Sequence, residues 1–338
     1  MQSTQRLAPP LASLAVLFLA SICVGAVALL SGWWLGARMW GSDERVVPPV
    51  PPAVGLLVGQ VAGPPLAPAV PTPTPTPTPP PQPEPILATH RLVTFYGNPL
   101  AEVMGVLAQR PTERMIERLR QQAAAYQQVD GRPIIPALHF ITPVAQASAG
   151  ADGMYRLRMD PELIEEWCNL AERHGLSFIL DVQIGRSNVQ EEVELLRPWL
   201  IRPHVHLALD PEFAMSPTTE PGKQIGSLTA EQINWAIEYL ADIAVEYRTG
   251  NRILIVHQFT DNMVPDRENL QLNPYVDLVL MMDGFGPPAL KRAQYDRYIA
   301  TDPVGFAGIK LFYQHDRPLM TPADVLALDP PPDVVTYQ

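Results

Sequence analysis

The stretch DPELIEEWCNLAERHGLSFILDV, residues 160–182, decides how the rest of the chain is read. Asp160 followed by Pro161 is a helix-opening pair. The aspartate oxygen takes an unused backbone N–H, and proline sits where its missing donor costs nothing. The helix so begun stops before Gly175, a residue suited to the left-handed turn past a helix end. Residues 177–182 then form a short β-rich apolar run. It is nearly continuous in apolar residues, as a parallel strand covered on both faces would be.

The same unit repeats outward from this stretch. Similar runs occupy residues 92–96, 134–141, 205–209, 253–259, 276–282, 305–312 and 334–337, which makes eight in all. Thr112 opens an Arg/Glu/Gln-rich helix that ends near Val129. Thr229 with Gln232 has the spacing of a capping box, with Gly250 expected to close that helix, and Thr321-Pro322 starts a last short one. Eight strands with interleaved helices over about 250 residues predict an α/β fold, a (β/α)8 TIM-type barrel spanning residues 90–338. No helix is expected after the eighth run. An open doubly wound sheet is the alternative, but no GxGxxG follows the first strand and no Walker lysine loop is present.

The preceding segment has a different character. Residues 11–35 read LASLAVLFLASICVGAVALLSGWWL without a charge, and roughly 20 such residues span a bilayer. Trp33, Trp34 and Trp40 stand where an interfacial aromatic belt would lie. A short tail (1–10), a single transmembrane helix (11–35) and a Pro/Thr-rich linker (36–89) are therefore expected. The lipid bilayer is the implied partner of residues 11–35. A short N-terminal tail and a large C-terminal domain favour a single-pass protein of the cell membrane with the barrel extracytoplasmic. A cleaved signal peptide is the competing reading, with Ala26-Val27-Ala28 as its site, but the apolar run continues past it. The repeat PTPTPTPTPPPQPEP, residues 71–85, is held to polyproline II and would extend roughly 45 Å.

Net charge is −11 over 338 residues, and no Lys/Arg stripe tracks a phosphate backbone, so nucleic acid is not an expected partner. The two cysteines, Cys23 and Cys168, lie in unrelated segments, which leaves no Cys-based zinc site. No cofactor is expected.

Working residues of such a barrel sit at the C-terminal ends of its strands, and here those ends are polar. They carry Tyr96, His139, Asp181 with Gln183, Asp210 with Glu212, His257 with Gln258, Asp283, Tyr313 with His315, and Gln338. A single acid after a strand usually caps the next turn. Recurrence on one rim points instead to a shared bowl. The sharpest element is Leu209-Asp210-Pro211-Glu212. Two carboxylates spaced by two on a strand would enter one cleft, and mutual repulsion would raise one pKa. Such a pair can protonate a leaving group while another carboxylate stabilises positive charge.

This Asp-x-Glu at the end of strand four resembles the chitinase-type and lysozyme-type barrel glycoside hydrolases. The resemblance implies Glu212 as proton donor and Asp210 as its helper. The chitinase pattern also has an aspartate two residues before Asp210, where Ala208 stands, and a tyrosine before the strand-six aspartate, where Met282 stands. The wider run from LVTFYGNP to MMDGFG resembles secreted or membrane-anchored bacterial barrel proteins, a likeness that carries no activity.

The leading expectation is a glycoside hydrolase acting on a cell-envelope or extracellular polysaccharide. Glu212, Asp210, Asp181 and Asp283 would share the acid, base and transition-state roles. Tyr96, His139, Gln183, His257, Gln258, Tyr313, His315 and Gln338 would hold the glycan. Two alternatives stand beside it. One is a metal-dependent hydrolase using Asp181, Asp210, Glu212, His257, Asp283 and His315, against which no HxH or HExxH motif appears. The other is a non-catalytic glycan-binding barrel.

Overall fold

Eight parallel strands close into a ring. The structure is a computed structural model that describes residues 83–109 and 112–338. The strands are β1 (Arg91–Gly97), β2 (Ile134–Ile141), β3 (Ser177–Val182), β4 (Val205–Leu209), β5 (Arg252–Gln258), β6 (Val276–Met282), β7 (Phe306–Leu311) and β8 (Val334–Tyr337). Each pairs in parallel with its neighbours in sequence, and β8 pairs with β1. In that closing pair Leu92 faces Val334 and Thr94 faces Thr336. The two threonine hydroxyls hydrogen-bond across the seam at 2.9 Å. All eight expected strands are present, each within one residue at either end, in a TIM-like barrel. The expected tail 1–10, membrane helix 11–35 and most of the linker lie outside the described residues. Among the described residues no helix is long and apolar enough to cross a membrane.

The helices follow the capping chemistry. They are α1 (Ile86–Thr89), α2 (Thr112–Asp130), α3 (Pro161–Arg173), α4 (Val189–Leu195), α5 (Arg197–Leu200), α6 (Ala230–Tyr247), α7 (Pro288–Tyr295) and α8 (Pro322–Leu326). Asp160 caps α3 by accepting from the Glu162 N–H, and Thr229 with Gln232 completes a capping box on α6. Helix α6 ends sooner than Gly250 would suggest, because Arg248 takes the left-handed conformation at its C-cap (φ 52°). The connection from β5 to β6 departs from the alternation. It contains only the 3-10 turns Asp261–Met263 and Arg267–Asn269.

Period-two alternation sorts the apolar residues into two cores. Outward-facing side chains such as Phe178, Leu207, Leu254, Leu280 and Ile309 pack with the helices. Inward-facing Leu92, Ala137, Ile179, Ala208, Ile253, Ile255, Val279, Met281 and Val334 fill the lower barrel. The space is tight: a Cβ on Gly308 would sit 3.0–3.1 Å from Val279 and Met281.

Helix α1 closes the N-terminal end of the barrel. Leu87 is fully buried in the interior cluster, and its N–H donates to Asp277 Oδ2 at 2.9 Å. Arg132 holds the same segment by donating to the carbonyls of Leu87 and His90 and pairing with Asp333 at 2.9 Å. The chain therefore joins the barrel before His90. Leu87→Ala is expected to cost ~2–5 kcal/mol of unfolding free energy, the range for a truncated core leucine. Urea denaturation of the variant checks this, and a loss under about 1 kcal/mol would deny α1 its role as a plug.

Candidate active site

The upper half of the barrel interior is polar. Tyr96, His139, Asp181, His257, Asp283 and Lys310 enter it from β1, β2, β3, β5, the end of β6, and β7, and all are buried. Gln183 and Asp210 follow directly after β3 and β4, at 5 % and 3 % exposure. Tyr96 is held from behind by a close backbone approach. Gly105 lies so near that a Cβ there would meet the Tyr96 carbonyl oxygen at 2.3 Å, and its φ of +128° suits only glycine.

One chain of charges crosses this interior. His257 Nδ1 donates to Asp283 Oδ2 at 2.9 Å. Lys310 Nζ approaches both oxygens of Asp283, at 3.3 and 3.4 Å, and lies 3.7 Å above the centroid of the Tyr96 ring. On its other side His257 turns Nε2 to Asp181 Oδ2 at 3.4 Å, and His139 Nε2 approaches the same oxygen at 3.4 Å. Neither of these last two contacts is aligned as a hydrogen bond.

Burial and charge set the protonation states. Burial alone would lower His257, but the charges of Asp181 and Asp283 outweigh it and push the imidazole up to about 10. Burial opposes ionisation of Asp181 and Asp283 as well. His257 overcomes it for Asp181, and Lys310 with His257 for Asp283, so both carboxyls lie below the usual range. His139 goes the other way. Burial lowers it to about 4 against the pull of Asp181.

Asp210 and Glu212 form a second group nearer the mouth. Strand β4 ends at Leu209, and Asp210 does not continue it. Its Oδ1 accepts from the Glu212 N–H at 3.2 Å and caps the 3-10 turn Pro211–Phe213. The two acids are thus related by a turn and not by a strand face, as the sequence spacing suggested, because Pro211 cannot extend the ladder. The other oxygen of Asp210 accepts from Gln183 Nε2 at 3.2 Å, and Gln183 also reaches the Tyr96 hydroxyl at 3.5 Å. Burial raises Asp210 to about 7, with His257 opposing and Asp181 and Asp283 adding to the rise. Burial likewise raises Glu212, to about 8, with Asp210 and Asp283 contributing. Glu212 itself is only partly buried.

The structure therefore gathers Tyr96, His139, Asp181, Gln183, Asp210, Glu212, His257 and Asp283 around one interior. Four other expected residues lie elsewhere. Gln258 follows inward-facing His257 on the same strand and so faces out, where it accepts from Arg267 at 3.1 Å and donates to the Thr260 carbonyl at 3.3 Å. Tyr313 stacks on Tyr337 with ring centroids 5.2 Å apart and meets Phe95 edge-on, outside the ring. His315 is exposed on a loop beside Phe285. Gln338 donates to the Met104 carbonyl at 3.4 Å.

Lys310 was not anticipated, since residues 305–312 read as an apolar run. A lysine inside such a run is itself a signal, because it cannot be buried without a partner. A second unanticipated network lies beside the ends of β6 and β7. Lys291 Nζ donates to the Gly284 carbonyl at 2.7 Å and pairs with Asp316 at 3.1 Å. Asp316 accepts from the N–H groups of Gly286 and Phe312 at 2.8 and 2.9 Å.

Comparison with protein-family models, with curated proteins and with solved structures gives no match for this chain. Its chemistry is accordingly read from geometry. Lys310→Met leaves the Asp283 carboxylate buried without its ammonium partner. A destabilisation of ~3–5 kcal/mol is expected in chemical denaturation. The double variant Lys310→Met/Asp283→Asn should recover part of it, and equal losses in both would refute the coupling.

Proposed function

We propose that the barrel is a hydrolase of glycosidic bonds that acts by carboxylate acid catalysis on a cell-envelope or extracellular polysaccharide. The observation that carries this reading is the pairing at one mouth of two carboxyls held high with two held low. Glu212, raised to about 8, stays protonated at neutral pH and is partly exposed. It is the acid that donates a proton to the leaving oxygen. Asp210, raised to about 7, sits beside it and keeps that proton in place. Asp283, held ionised by Lys310 and His257, supplies negative charge for an oxocarbenium-like transition state, and Asp181 adds to it from deeper in the barrel. Gln183 and Tyr96 offer polar groups to sugar hydroxyls. In this reading the apolar segment 11–35 is a single-pass membrane anchor, and the proline-rich segment holds the barrel at the outer face.

The test is release of reducing ends from a panel of neutral polysaccharides. Glu212→Gln should lower turnover about 10²–10⁴-fold, the range for losing a positioned general acid, with an unchanged Tm. Full activity in that variant rejects the assignment. Glycan binding without release by the wild-type chain would make the barrel a binding module instead. For an active enzyme, kcat/KM should fall as pH rises through about 8, because Glu212 must keep its proton to donate it. That alkaline limb should be missing from the residual activity of Glu212→Gln.

A further inference from the structure

We infer that His139, Asp181 and His257 form a binding site for one divalent transition-metal ion; the site is distinct from the Asp210–Glu212 pair, shares Asp181 and His257 with the proposed catalytic cluster, and rests on the geometry of these three residues and not on the glycosidase reading. The three residues come from adjacent strands β2 and β3 and from β5, and each is fully buried. One ligand atom from each lies within 4.8 Å of the others. The two resolved edges, His139 Nε2 to Asp181 Oδ2 and His257 Nε2 to Asp181 Oδ2, are both 3.4 Å. Ligands about 2.0–2.1 Å from a tetrahedral zinc ion stand roughly 3.3–3.4 Å apart. These separations are long for hydrogen bonds and correct for donors that share a metal.

A second observation is independent of those distances. Buried polar atoms are nearly always partnered, yet both ring nitrogens of His139, both oxygens of Asp181 and Nε2 of His257 have no hydrogen-bond partner among the described residues. Other unpaired buried atoms among the described residues, such as those of Thr249, Arg252 and Gln294, occur singly or on one side chain, whereas in this triad five such atoms belong to three side chains that face one another. Meanwhile the far nitrogen of His257 is tied to Asp283. That is the arrangement in which a carboxylate fixes the tautomer of a metal-bound histidine and leaves its other nitrogen free to ligate. A proton on His257 is the competing link between Asp181 and Asp283, but it leaves His139 and one oxygen of Asp181 unpaired.

The surrounding charges accommodate an ion. Lys310 is the nearby cation, and Asp283 neutralises it at 3.3 Å. Asp181 offers the ion one negative charge, and Asp210 and Glu212 lie above. Two nitrogens and one carboxylate oxygen suit zinc and its neighbours better than magnesium or calcium, which prefer oxygen alone. Three inward positions on separate strands explain why no HxH or HExxH spacing announces the site.

The experiment uses the full chain, untagged and purified in detergent, stripped with chelator and then titrated with Zn²⁺ alone. One ion per chain is expected by calorimetry and by metal analysis, with a rise in Tm of about 5 °C or more at saturating zinc. His139→Gln and Asp181→Asn should each abolish both effects, whereas His174→Gln should keep them. Should those variants fail to fold, Co²⁺ added to the stripped wild-type chain should give the visible absorption of a tetrahedral site. A stripped wild-type chain that takes up no zinc and shows no Tm shift overturns the proposal. Undiminished binding in folded His139→Gln and Asp181→Asn does the same.

Discussion

Closure of β8 onto β1 is the constraint on which everything else rests. Eight strands make a ring whose interior is only wide enough for side chains. Once Leu92 faces Val334 and Thr94 faces Thr336, every second residue of every strand is committed to a space with almost no water. The lower half meets that demand with aliphatic side chains. The upper half meets it with opposite charges placed against one another: Lys310 on Asp283, Asp283 on His257, His257 toward Asp181.

Electrostatics in the upper half are cooperative in consequence. An isolated buried carboxyl would be neutral. Asp181 and Asp283 escape that fate because cations were buried with them. Asp210 and Glu212 do not, because burial together with the neighbouring anions outweighs the same cations there. One enclosed cluster therefore keeps carboxyls in both protonation states at once, which is the requirement for acid catalysis beside a stabilising anion.

Strand positions were legible in the sequence because apolar runs and capping residues are local signals. Asp160, Thr229 and Thr321 each cap the helix their sequence announces. The phase of each strand was less legible. His257 and Gln258 are adjacent and both polar, and only the closed ring decides that the histidine turns in and the glutamine out. Tyr313 looked like a rim aromatic, but its pairing with Tyr337 belongs to the outer layer. The spacing of Asp210 and Glu212 suggested a shared strand face, yet their relation is a proline-enforced turn with a side-chain cap. Lys310 was hidden in an apolar run because its partner, Asp283, is 27 residues away in sequence.

The plug formed by α1 has a consequence for how the molecule is presented to its surroundings. Leu87 seals the pole of the barrel opposite to Glu212. Ile86 and the acid-bearing opening thus lie at opposite poles of the described barrel. A pull applied at Ile86 would load the Leu87 plug and its bond to Asp277 before it reached the upper strand ends that hold the buried charges.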